Sequence, residues 1–204
     1  MGQRESAADL PGGRGAAVAL LHEYTKKPGL IKHALAVEAA CRAYAEQRGA
    51  DVDAWGLVGL LHDFDYERWP TPEDHPFRGV EILTERGYPE WFRRAILSHA
   101  NYSGVPRETP LEKTLFACDE LSGFLTACAL VTPTKSFHDV KVKSVRKKMK
   151  SKGFAAAVSR DDIVAGAAGL GVELNDHIEF VLRALQRVAD QLGLGAGDIT
   201  EREG

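Results

Sequence analysis

The sequence has few of the features that would place the protein in an oxidising compartment or a membrane. Its 204 residues include only three cysteines, Cys41, Cys118 and Cys128, and their spacing matches neither a CxxC pair nor a zinc ribbon. No apolar run approaches the roughly 18 residues of a membrane span, and the first residues lack the apolar segment of a signal peptide. We therefore expect a cytoplasmic protein without a membrane partner.

Strand patterns and a basic excess are also missing. No pair of segments alternates apolar and polar residues as paired strands do, and the sequence contains no internal repeat. The net charge is −3, with 26 Lys and Arg against 29 Asp and Glu, which is not the basic balance typical of nucleic-acid-binding proteins. A chain of this length can bury the core of one domain. We expect a single all-α domain.

Apolar residues recur at helical spacing through most of the chain. Leu30, Ala34, Val37, Cys41 and Tyr44 share one face of a helix that ends at Gly49. Further helices are predicted from a cap at Asp51 or Asp53 to about Asp63, and over about Phe77–Arg86, Pro89–His99, Pro110–Val131, Arg160–Leu170 and Leu174–Leu192. The polar, Gly-rich ends predict a disordered tail over residues 1–14 and a second tail over 195–204, around a helical bundle at 15–194.

Several histidines and carboxylates lie on the apolar faces of these helices. His62 and Asp63 follow the apolar run 55–61, and Asp119 lies four residues after Leu115. Burying a charged carboxylate is costly unless it is paired or binds a metal. One such histidine alone is more often a core residue with its own hydrogen bond, but a single cation would satisfy several together. Imidazole with carboxylate suits one or two divalent ions such as iron, manganese or zinc.

The order of these residues resembles a known signature. His33, the adjacent pair His62 and Asp63, and the later Asp119 are similar to the H…HD…D pattern of the HD-domain superfamily of metal-dependent phosphohydrolases. The resemblance covers about residues 30–131, with 139–194 as a helical C-terminal extension, and the remainder is similar to a bacterial group of predicted HD hydrolases. It implies an HD-type helical bundle.

The resemblance also implies the roles of the ligands. His33, His62, Asp63 and Asp119 would bind a first metal, and His62 and Asp63 would be the catalytic residues. His75 in "HPFRG" and His99 in "AILSHA" resemble the two extra histidines of the binuclear branch, where Asp63 would bridge to a second ion. The Gly- and Pro-containing GYP loop of the cyclic-dinucleotide branch is absent after His99, which excludes that substrate class.

The expected activity is hydrolysis of a phosphoester by water that a divalent ion has made more acidic. The expected substrate is a small phosphorylated metabolite or a nucleotide. Two alternatives remain. The six ligands would also suit a mixed-valent di-iron oxygenase, with Tyr24 either near the open coordination position or in the core. A non-enzymatic nucleic-acid-binding domain is the third reading, and it is disfavoured because the basic cluster described next lacks interleaved aromatic residues.

A phosphate substrate should also contact basic residues. Residues 141–152 contain seven Lys and Arg and no acid, and Val142, Val145 and Met149 within them have helical spacing. This segment is either a solvated helix face or a flap that presents cations to a phosphate. The predicted substrate-binding residues are Lys135, Lys143, Arg146 and Lys147.

Three acids near the expected ligands have open roles. Asp65 and Glu67 follow the His62–Asp63 pair and are supporting groups, a proton acceptor or members of a solvated loop. Glu120 is turned about 100° from Asp119 on the helix, which favours a solvent-facing or ligand-supporting position. The sequence does not indicate an oligomeric state.

Overall fold

The computed structural model describes residues 5–195, and these residues contain nine α-helices and no β-strand. The helices are α1 (Gly13–Tyr24), α2 (Pro28–Arg48), α3 (Val52–Leu61), α4 (Phe77–Glu85), α5 (Glu90–His99), α6 (Pro110–Leu130), α7 (Val142–Met149), α8 (Arg160–Leu170) and α9 (Leu174–Arg187). Short 3₁₀ turns cover Ala7–Asp9, Asn101–Ser103 and Phe137–Asp139. The predicted all-α bundle is confirmed.

The helix ends follow local sequence chemistry. Asp51 is the residue that caps α3, because its carboxylate accepts a hydrogen bond from the Ala54 backbone N–H at 3.0 Å. At α6, the side chain of Thr109 and that of Glu112 each accept a bond from the other's backbone N–H, which forms a capping box. Gly49 ends α2 in the left-handed conformation at φ 64°. These caps fix where the helices that carry the candidate ligands begin and end.

Two close backbone contacts determine how the central helices pack. A Cβ on Gly59 of α3 would lie 2.9 Å from the Val37 carbonyl oxygen of α2. A Cβ on Gly166 of α8 would lie 2.6 Å from the Ala117 Cα of α6. Real Cβ atoms do not approach other atoms this closely, so both positions need glycine. The resulting core brings α2, α3 and α6 together around the middle of the bundle.

Two predicted helices are too long. The predicted α3 extends to Asp63, but the helix ends at Leu61 because His62 begins a series of turns. The predicted last helix extends to Leu192, whereas α9 ends at Arg187 and turns follow. Leu192 is nevertheless only 1 % exposed. The apolar spacing therefore indicates which residues are buried, and Leu192 in the turns after α9 is buried although the helix has ended.

Residues 5–14, which belong to the predicted disordered tail over residues 1–14, pack against the bundle in the structure. The Ala7 backbone N–H donates to Asp51 Oδ2 at 2.9 Å, and the Trp55 indole donates to Glu5 at 3.0 Å. Leu10 is buried in the main core. Residues 1–4 lie outside the described residues, as does the predicted C-terminal tail apart from Gly195.

The three cysteines form no disulfide bond. Cys41, Cys118 and Cys128 are all buried free thiols. Within residues 5–195, no helix combines the length and the hydropathy needed to cross a bilayer. The domain limits at residues 15 and 194 stay a prediction.

We expect Gly166→Ala to lower the free energy of unfolding by about 1–3 kcal/mol, because the new methyl group would force α8 away from α6. Gly169→Ala is the matched control on the same helix, where a Cβ meets nothing within 4 Å. That change should be neutral or raise the free energy by about 0.5–1 kcal/mol, since alanine favours helix. Urea unfolding followed by circular dichroism measures both, and equal effects would refute the close contact.

Candidate metal centre

Three side chains, one from α2, one from α6 and one from the residue after α3, form the first group of candidate ligands. His33 lies on α2, Asp119 on α6, and His62 directly after α3. His33 Nε2 lies 3.2 Å from His62 Nε2 and 3.0 Å from Asp119 Oδ1, and His62 Nε2 lies 3.4 Å from the same oxygen. Three atoms that normally bind metal thus point to one place.

A second group lies against the first. His75 comes from the loop before α4 and His99 from the last residue of α5, and their Nε2 atoms lie 3.2 Å apart. Asp63 Oδ1 lies 3.2 Å from His75 Nε2 and 3.3 Å from His99 Nε2. The other oxygen of Asp63, Oδ2, lies 3.5 Å from His62 Nε2 in the first group. One carboxylate therefore joins two three-residue groups.

Hydrogen bonds to the far side of the rings hold three of the histidines in place. Nδ1 of His62 donates to the Gly59 carbonyl oxygen at 2.7 Å, and Nδ1 of His99 donates to the Ile96 carbonyl oxygen at 2.5 Å. Nδ1 of His75 donates to the Asp65 carboxylate at 2.9 Å. These bonds determine the tautomer, so each Nε2 presents a lone pair to the centre, as in known metal sites.

The electrostatics of the centre require a cation. Two Nε2 lone pairs that face each other at 3.2 Å repel unless a proton or a metal lies between them. Burial lowers the pKa of His62, but the charges of Asp63 and Asp119 raise it well above its usual value. Burial also lowers the pKa of His75, and hydrogen bonds to Asp63 and Asp65 raise it to about 9. Protons and metal ions compete for this position, so the residues fit a divalent ion.

The Asp65 carboxylate holds the His75 ring of the second group in place. It is fully buried, and its two oxygens accept bonds from His75 Nδ1 and from the Gly79 backbone N–H, each at 2.9 Å. A Cβ on Gly79 would lie 2.8 Å from the Asp65 Cγ, so only glycine leaves room for this carboxylate. The solvated-loop reading of Asp65 is wrong, and the supporting role is the one that the geometry favours.

Both groups open onto a cavity of about 450 Å³. This volume is in the range of small-molecule sites. Among the six expected ligands, five line the cavity and His62 is completely buried behind them. The lining residues are Leu30, His33, Asp63, Tyr66, His75, His99, Ala100, Asn101, Tyr102, Phe116, Asp119, Glu120, Gly123, Val158 and Asp162.

The predicted basic substrate-binding residues do not line this cavity. Lys143, Arg146 and Lys147 project from α7 around a separate surface depression, and Lys135 lies in an exposed turn after α6. Val145 is fully buried, so the predicted docking face of α7 exists. None of the four basic residues is among the residues that line the cavity, and this geometry does not support the flap reading.

Glu67 and Tyr24 both lie outside the lining of the cavity. Glu67 lies at the surface, where it accepts hydrogen bonds from the backbone N–H groups of Lys26 and Lys27 at the start of α2. Tyr24 packs edge-on against Phe64 with ring centroids 5.4 Å apart and is not among the cavity residues. Tyr24 is therefore a partly buried residue that packs against the core, and its placement near an open coordination position is not supported.

Glu120 lines the cavity beside Asp119. Burial, together with the Asp119 charge, raises the pKa of Glu120 to about 7. Its Oε2 accepts a hydrogen bond from the Ser159 backbone N–H at 3.0 Å. Of the two positions that the sequence allowed for Glu120, the structure places it toward the site.

Sequence reasoning missed the other cavity residues. Asn101 and Tyr102 lie two and three residues after His99, and that proximity was a usable signal. Asp162 reads as an ordinary acid in the first turn of α8, and only the packing of α8 on α6 brings it to the cavity. Nothing in the local sequence indicates that Asp162 lines a cavity.

Comparison with known families agrees with this geometry. The family model described as "HD domain" matches residues 30–123, a span that contains all six candidate ligands. Proteins of that family bind divalent metals. No curated protein and no solved structure matches the chain.

We expect two divalent ions per wild-type chain and one in His75→Ala, because that change removes a ligand from the second group only. His22→Ala, an exposed histidine outside the site, should keep both ions. Elemental analysis of protein reconstituted without air gives these ratios. One ion in both the wild type and His75→Ala would remove His75 from the site.

We expect metal binding to release protons at pH 7.5. The pKa of His75 in the metal-free protein is raised to about 9, so below pH 9 a proton occupies the ligand atom and competes with the metal. Apparent affinity should therefore rise with pH up to about 9. Calorimetry in buffers of different ionisation enthalpy counts the protons, with fewer released in His75→Ala. An affinity that does not change between pH 6.5 and pH 9 would contradict this.

Proposed function

We propose that this chain, whose residues 30–123 match the family model described as "HD domain", is a metal-dependent hydrolase of phosphoesters. The domain belongs to a superfamily of metal-dependent hydrolases. The observation that carries the proposal is the pair of ligand groups joined by Asp63 at the base of a cavity of about 450 Å³. The expected substrate is a small phosphorylated metabolite or a nucleotide.

The reaction makes limited demands on protein side chains. The oxygen of a water molecule forms a bond to phosphorus, the bond from phosphorus to the ester oxygen breaks, and the products are an alcohol and inorganic phosphate. Divalent ions in such a site lower the pKa of water and neutralise charge on the phosphate. His33, His62 and Asp119 would hold one ion and Asp63, His75 and His99 the second.

The residues of the chain position the reactants. The backbone bond from His62 to Gly59 and the Asp65 bond to His75 keep both imidazoles aimed at the centre. Burial raises the pKa of Tyr102 to about 12, so its hydroxyl stays protonated at neutral pH. The Tyr102 hydroxyl and the Asn101 amide line the cavity and supply neutral donors for phosphate oxygens.

A di-iron oxygenase remains the second candidate, because four imidazoles and two carboxylates form a donor set that also suits iron. Iron content and dioxygen consumption distinguish the two reactions. A hydrolase works without dioxygen and with other divalent ions, whereas an oxygenase consumes dioxygen in proportion to product.

We expect the metal-loaded protein to hydrolyse 4-nitrophenyl phosphate in the absence of dioxygen and to lose this activity when a chelator removes the metal. Asp63→Asn should lower kcat/KM by about 100-fold or more, since changes to groups that only support metal ligands already cost 10–100-fold. Release of 4-nitrophenol measures both.

Lys143→Ala is the control, because Lys143 does not line the cavity. It should leave kcat/KM within about twofold of the wild type. Full activity in Asp63→Asn, or in protein shown by elemental analysis to be free of metal, would overturn the proposed function.

A further inference from the structure

The charge of the cavity wall restricts the substrate more narrowly than the metal ligands do. Beside the ligand groups, the charged residues of the lining are Glu120 and Asp162, both acidic. No Lys or Arg occurs among the lining residues in the described part of the chain. A site for a nucleoside di- or triphosphate normally supplies Lys or Arg for the additional phosphates.

Both acids are held facing the cavity by neutral donors. Glu120 accepts a bond from the Ser159 backbone N–H, and Asp162 Oδ1 accepts one from the Asn101 amide at 3.0 Å. Within residues 5–195, neither carboxylate forms an ion pair. No basic side chain of the described residues therefore neutralises either carboxylate.

Arg107, a basic residue that contacts the cavity residues Phe116 and Asn101, is already engaged. Arg107 stacks on the Phe116 ring at 3.5 Å from the centroid and donates to the Ser98 carbonyl oxygen at 2.8 Å. Its guanidinium is not part of the lining. Arg107 thus fixes Phe116 and Asn101 in the wall, and it leaves the cavity surface without a cation of its own.

A charge count gives the same result. Two divalent ions would exceed the charge of the ligand carboxylates, Asp63 and Asp119, by about two units, which one phosphate monoester dianion neutralises. A second anionic group would then lie against Glu120 and Asp162 with no cation to compensate it. Repulsion between unit charges in a partly buried site amounts to more than a tenfold change in affinity.

We propose that the substrate carries a single phosphate and no other anionic group, and that Glu120 and Asp162 reject substrates with a second one. This inference rests on the proposed function. Tyr66, Tyr102 and Phe116 supply aromatic surface, and Leu30 and Val158 supply aliphatic surface. The class is therefore the monophosphate ester of a neutral or amine-bearing alcohol, and nucleoside diphosphates and triphosphates are excluded.

Three small esters of similar size test the proposal on the metal-loaded protein. Glycerol phosphate ends in a neutral hydroxyl group, phosphoethanolamine in an ammonium group and phosphoglycolate in a carboxylate. Calorimetry gives their dissociation constants whether or not they are hydrolysed, and phosphate release gives kcat/KM. We expect phosphoglycolate to bind at least about tenfold more weakly than the other two. Equal or tighter binding of phosphoglycolate would overturn the inference.

The double variant Glu120→Gln, Asp162→Asn removes both carboxylates and keeps an oxygen acceptor at each position. It should reduce the discrimination against phosphoglycolate by about tenfold or more. Asp161→Asn is the matched control, because Asp161 is an exposed acid in the same turn of α8 and does not line the cavity. The control should keep the wild-type ratio.

The outcomes separate the two proposals. Discrimination in binding without hydrolysis of any ester, including 4-nitrophenyl phosphate, would support the acidic wall and remove the hydrolase function. Hydrolysis with an unchanged ratio in the double variant would keep the function and refute the role of Glu120 and Asp162.

Discussion

The carboxylate of Asp63 is the element on which the rest of the centre depends. Its Oδ2 faces His62 at 3.5 Å and its Oδ1 faces His75 at 3.2 Å, so the two ligand groups are held together by a single side chain. Burial raises the pKa of this carboxyl group, but the His62 charge lowers it well below its usual range. Asp63 stays ionised only while positive charge surrounds it, and a folded chain that keeps this geometry must therefore hold protons or metal ions there.

Packing and chemistry are coupled through the backbone near this residue. Gly59 lets α3 approach α2 closely, and its carbonyl oxygen also accepts the bond that orients His62. Gly79 similarly leaves the space that Asp65 needs to orient His75. A side chain at either glycine would displace a helix and turn an imidazole at the same time. The positions of the ligands are thus determined by the contacts between helices as much as by the ligands themselves.

The local sequence predicts those features that depend on neighbouring residues. The helices, the cap at Asp51 and the six inward-facing ligands follow from periodicity, cap chemistry and the ordered His and Asp signature. Contacts between distant segments were not predictable in this way. Residues 5–14 read as a tail because their anchor, Asp51, lies about forty positions along the chain. The basic face of α7 has the expected amphipathic pattern, but a single helix cannot reveal which side of the bundle its charges will face.

The candidate metal ligands and part of the cavity wall come from different segments of the chain. All six candidate ligands lie in residues 30–123, the part that matches the family, and their geometry leaves little freedom because each must reach a shared centre. Val158 and Asp162 reach the same cavity from the segment that follows. Changes in that segment can alter the charge and shape of the wall without removing a ligand, since none of the six candidate ligands lies in it. Substrate preference can therefore vary in this fold while the metal centre is kept.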